Sequence, residues 1–139
     1  MSLEDRLKGI AEGVAARERR HAADMAHAAE QLGALRETVA GAIDVFNATV
    51  APDVPHLSID VSPVRLDEKH LHAHEFELAR GRHRALVIAK SKSEFILVGP
   101  FKTGKSEGPC RTLPFSAESD LEDALEDFLE RFLEEATAP

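Results

Sequence analysis

The sequence predicts an α+β protein. A long coiled-coil-like helix fills residues 1–50, and a small α+β domain fills 51–139. That domain combines an antiparallel meander sheet of four or five strands (56–115) with an amphipathic helix (117–136) packed on it. Three observations carry this reading. Apolar residues recur three or four apart along the first fifty positions. Two short runs rich in β-branched residues, Ala85–Ala89 and Phe95–Val98, flank the polar linker Lys90–Glu94. Leu121, Leu125, Phe128, Leu129, Phe132 and Leu133 form a single stripe near the end of the chain. The first and third are helical periods; the second is a hairpin, its arms too short for stable helices.

The long helix is read from Leu3, Leu7, Ile10 and Val14, then Met25, Ala28, Leu32, Leu35, Val39, Ala42 and Phe46. Most steps are heptad-like, but the step from Val14 to Met25 is eleven, with Arg17 and His21 filling the seam. Neither Pro nor Gly falls between Val14 and Leu32, so no helical hairpin is expected there. Some 48 helical residues at about 1.5 Å each span roughly 70 Å. A domain of the remaining size is only about 30 Å across. Half the helix therefore overhangs, and its apolar seam needs a partner, most simply the same helix of a second copy. The expected seam is Leu7, Ile10, Val14, Met25, Leu32, Leu35 and Val39, in a homo-oligomer with a dimer favoured. Gly9, Gly13, Gly33 and Gly41 weaken the helix and argue for a frayed arm instead.

Pro52 and Pro55 end the helix. The strands expected next are Leu57–Val61, Leu71–Ala79, Arg84–Lys90, Phe95–Pro100 and Cys110–Phe115, with Arg80-Gly81-Arg82 a turn and Lys102–Pro109 a loop. Pro63 favours an edge position for the first strand and Pro114 limits pairing of the last. The third and fourth are apolar on both faces, which predicts cover on both sides. For the last helix, Ser119-Asp-Leu-Glu122 fits a capping box and Ser116 is a second candidate cap. Asp and Glu fill its other face, read first as solvated surface and less readily as a polyanion mimic.

The net charge is −8, unevenly spread. Acids and bases number eight and six in residues 1–50, eight and nine in 51–110, and nine and two in 111–139. Such a chain repels nucleic acid as a whole. Trp and Tyr are absent, and seven Phe carry the aromatic packing. Cys110 is the lone cysteine, so an internal disulfide is excluded. The first residues lack the apolar core of a signal peptide, Ser2 excludes myristoylation, and no stretch reaches the ~20 apolar residues of a membrane span. A reducing, cytoplasmic setting is expected.

Three patterns bear on chemistry. Gly99-Pro-Phe-Lys-Thr-Gly104-Lys105-Ser106 satisfies the phosphate-loop pattern of two glycines followed by Lys and Ser. A working loop needs a following helix, and Glu107-Gly108-Pro109 cannot propagate one. The 33 residues from Glu107 to Pro139 leave no room for further βαβ units, so the match reads as chance and the chain as non-enzymatic. A weaker reading gathers Arg80, Arg82, Lys102, Gly104, Lys105 and Ser106 at one sheet end as an anion-binding patch. His70, His72 and His74 alternate along a strand and so share a face, with spacing that suits zinc. Phe76 and Leu78 fall on that same face, which favours structural histidines. Cys110 has no recognisable catalytic partner, Gly-x-Ser-x-Gly is absent, and Glu75 and Glu77 lack a partner carboxylate. No cofactor is expected. The reading that results is a protein-interaction module assembled through its long helix, with the sheet domain binding a partner. The alternative is a small-ligand, anion or metal-binding domain, or an enzymatic one, using the Lys102–Ser106 loop or the His70, His72 and His74 strand.

Overall fold

The computed structural model describes residues 2–67, 73–104 and 108–139. Helix α1 runs from Leu3 to Val50 without a break. Strands β1 (Asp60–Val61), β2 (Arg65–Leu66), β3 (Ala73–Arg80), β4 (His83–Lys90), β5 (Glu94–Lys102) and β6 (Cys110–Pro114) follow, then helix α2 (Glu118–Thr137). The sheet is an antiparallel meander in the order β1-β3-β4-β5-β6, with β2 also lying on β3. The α+β architecture expected from the sequence is therefore present.

Register explains which residues meet the helices. Leu78 pairs Ala85, Phe76 pairs Val87, Val87 pairs Leu97, and Phe95 pairs Leu113. Alternation puts these side chains on one face. All of them join one buried cluster with Ala28, Leu32, Leu35, Val39 and Ile43 of α1 and with Ala124, Leu125, Phe128, Phe132 and Ala136 of α2. α1 packs on β3 and β4, and α2 on β4 and β5, so both helices cover the same face. The other face carries Leu86, Ile88, Ile96 and Val98 at its centre, and none of the four belongs to the cluster built with the helices. Among the described residues no helix lies on this second face, yet Ile96 is buried there and Leu86, Ile88 and Val98 are half-buried.

Several local expectations shift. Pro55–Leu57 forms a 3-10 turn, so the first strand shrinks to Asp60–Val61, and Arg65–Leu66 adds a short strand that the sequence reading missed. The expected cap at Ser119 is not used. Ala117 is the N-cap of α2 with no side-chain hydrogen bond, because the turn in which the Ala117 amide donates to the Pro114 carbonyl starts the helix two residues early. A capping box does exist at the other helix. The Asp5 amide donates to Ser2 Oγ at 3.1 Å, and the Ser2 amide to the Asp5 carboxylate at 3.4 Å. On α1 the buried position is Ile43 rather than Ala42, which is exposed. The stripe on a straight helix drifts off a strict heptad by that one residue.

Gly99 fits a demand of the sheet. It lies beside the register shift between Arg84 and Leu86, at φ +114, and a Cβ there stands 3.1 Å from both the Ala85 Cα and the Arg84 carbonyl. Glycine alone fits that approach without strain.

Candidate functional site

The first fifty residues separate into two halves of unlike burial. From Ala28 to Ile43 the apolar stripe of α1 lies in the core. Leu32, Leu35 and Val39, expected in an intermolecular seam, are instead covered by the chain's own sheet, and Met25 is half-buried. The helix leaves the sheet at its β4–β5 turn. There a cleft of about 440 Å³ is lined by His21, Asp67, Ala73, Ile88, Lys90 and Lys92. The stretch before His21, about 27 Å at 1.5 Å per residue, projects beyond the body. Along it Leu3, Leu7, Ile10 and Val14 are 70, 54, 63 and 42% exposed, four of the six large apolar residues so exposed among the described residues. The capping box at Ser2 satisfies amides at the helix start and places Glu4 and Asp5 against its positive end. An ordered end of this kind weighs against the frayed arm that the four helical glycines suggest.

The opposite half of α1 is held by polar clamps. Asn47 Nδ2 donates to the Ile59 carbonyl at 2.9 Å and its Oδ1 accepts from the Ile59 amide at 2.8 Å. Arg36 Nε donates to the Ser62 carbonyl at 2.7 Å. These bonds tie α1 to the β1 edge and fix the direction in which the projecting half points. Neither residue stood out in the sequence. A polar residue between the stripe positions Phe46 and Val50 is the only signal Asn47 offers.

The sheet face opposite the helices is a second surface, half-buried at its centre. Beside its apolar centre runs an ion-pair ladder, Glu75–Arg65–Glu77–Arg84, with separations of 3.5–3.7 Å. Burial pushes the Glu75 carboxyl above its ordinary value; Arg65 pulls it back, and Asp67 and Glu77 push it further up.

The residues suspected of chemistry are placed differently. Gly99 to Lys102 are extended within β5, Gly104 lies in a turn, and β6 follows from Cys110. Among the described residues no helix follows this stretch before α2, so it is not built as a phosphate-cradling loop. The expected meeting of this segment with the β3–β4 turn does occur. The Thr103 amide donates to the Arg82 carbonyl at 2.7 Å, and Arg82 donates back to the Thr103 carbonyl at 3.4 Å. Arg80 turns to the opposite side and donates to the Ala136 carbonyl near the end of α2 and to the His56 carbonyl. Both guanidinium groups are therefore engaged with carbonyls. Lys105 and Ser106 lie outside the described residues, as do His70 and His72. His74 pairs Ala89 on the helix-covered face, in line with Phe76 and Leu78. Among the described residues no group of three His, Cys, Asp or Glu side chains is placed to hold a metal ion. None of the helices is long and apolar enough to cross a membrane among the described residues.

Comparison with protein-family models, curated proteins and solved structures finds no match.

Proposed function

We propose that the protein is a cytoplasmic interaction module that self-associates through the projecting half of α1 and presents the sheet face opposite the helices to a partner. The observation that carries this is the stripe Leu3, Leu7, Ile10 and Val14, spaced four, three and four apart and exposed on a well-capped helix. Three of these, Leu7, Ile10 and Val14, belong to the seam expected from the sequence. Leu32, Leu35 and Val39 are spent within the monomer and drop out of it. The single cysteine, exposed and free, suits a reducing compartment.

Magnitudes set the strength of the association. Covering these half-exposed side chains yields about 1–2 kcal/mol each, or about 8–16 kcal/mol for two copies. Association itself costs an estimated 4–15 kcal/mol. The two ranges leave anything from no net gain to about 12 kcal/mol, and the ~8 kcal/mol that a micromolar dimer requires lies inside that span. Replacing Leu7 and Ile10 together by Glu places four carboxylates in the seam. That variant is expected to sediment as a monomer at concentrations where the parent associates, with the circular-dichroism signature of the sheet unchanged. Equal association of variant and parent contradicts the proposal.

A further inference from the structure

The two apolar stripes of α1 lie on one side of the helix, and this determines how a second copy can approach. At about 100° per residue, the mean direction of Leu3, Leu7, Ile10 and Val14 falls within about 40° of that of Ala28, Leu32, Leu35, Val39 and Ile43. His21, between the two sets, lines the cleft at the sheet end from that same side. The exposed stripe therefore looks into the space that continues, past the end of the sheet, the layer the sheet occupies. A helix seated on it lies about 8–10 Å from α1, near the depth of the sheet. If that helix ran parallel, its own residues after position 21 would enter the volume filled by β3 and β4, the strands on which α1 packs. If it ran antiparallel, its body would extend the other way and meet none of the described residues.

Charge points to the same choice. Parallel pairing stacks Arg17 on Arg17, like charges at a seam position. It also brings together two C-terminal segments with nine acids and two bases each. The antiparallel register that aligns Leu3 with Val14 and Leu7 with Ile10 leaves Arg17 outside the overlap, about one helical turn from Glu4 and Asp5 of the second copy.

We propose that two copies of this chain pair antiparallel through residues 3–14, with Leu3 of each against Val14 of the other, so that the two sheet domains sit at opposite ends of the dimer. This rests on the self-association proposed above and adds its geometry. Disulfide trapping in the full chain tests it, with the exposed thiol removed by Cys110→Ser. Leu3→Cys and Val14→Cys copies are made separately, mixed and mildly oxidised. The expected product is the mixed disulfide between positions 3 and 14. Each variant alone stays uncrosslinked, because its two thiols are then about 17 Å apart along the pair, well beyond the 4.4–6.8 Å Cα separation that a disulfide spans. Self-crosslinking of either variant alone overturns the inference by showing a parallel pair. A Cys110→Ser parent that sediments as a dimer while the mixture yields no crosslink also overturns it, since the copies then meet elsewhere. A parent that stays monomeric at high micromolar concentration removes the underlying association, and the geometry with it.

Discussion

Asn47 gives Ile59 both hydrogen bonds that a neighbouring strand would otherwise supply. Its replacement by Ala leaves a part-buried amide and carbonyl unpaired, which costs about 1–3 kcal/mol per unsatisfied group. Chemical denaturation of Asn47→Ala is expected to show a loss of about 2–4 kcal/mol, at the upper end for a single polar substitution. Glu75 makes a prediction with a definite sign. Its carboxyl holds its proton to higher pH in the folded chain than in the unfolded one, chiefly because burial disfavours the charge. Its contribution to stability is therefore full below the ordinary carboxylate range and is lost as pH rises through the raised folded value. Measured against Glu75→Gln, the parent should lose relative stability across that window and run level above it. A difference that grows in the parent's favour as pH rises contradicts the assignment. Residues of this kind are hard to read in a sequence. Nothing around Asn47 or Glu75 marks them, because their roles depend on chain segments 12 residues or more away, or on the sheet face onto which the strand turns them.

Elements were more legible than residues. The four longer strands, the meander order and the α2 stripe follow from period and length, and each appears within a residue or two of its expected bounds. The misses have physical causes. β2 has only two residues and no apolar pattern; it is held by pairing Arg65 with Glu75 and Leu66 with His74. The cap of α2 moved because a backbone turn from Pro114 to Ala117 starts the helix two residues before the cap expected at Ser119. In α1 the apolar period is continuous, and it does not say which part finds a sheet beneath it. Burial divides it, and the division predicts a contrast between two truncations of similar size. Leu32→Ala, at a fully buried position, is expected to cost about 2–5 kcal/mol in denaturant titrations. Ile10→Ala, 63% exposed, should leave unfolding of the dilute chain within about 0.5 kcal/mol of the parent while weakening association. Equal losses at the two positions argue that the projecting half is packed on its own body.

At the scale of the whole molecule, one sheet has two helices on one face and a helix too long for it. The body closes its core around β3, β4 and β5, and the surplus of α1 leaves the sheet at the β4–β5 turn. Among the described residues the stripe on the projecting helix is the run of large apolar side chains left exposed outside that core, while the second sheet face, flanked by its ion-pair ladder, is half-buried at its centre. The acidic α2 lies on the body, packed on β4 and β5. An account in which copies meet at the helix keeps these negative segments apart. Sedimentation equilibrium of the full chain, from low to high micromolar concentration, tests this most directly. The account predicts an apparent mass that rises from 15.2 kDa toward twice that value, and a mass that stays at the monomer value throughout contradicts it.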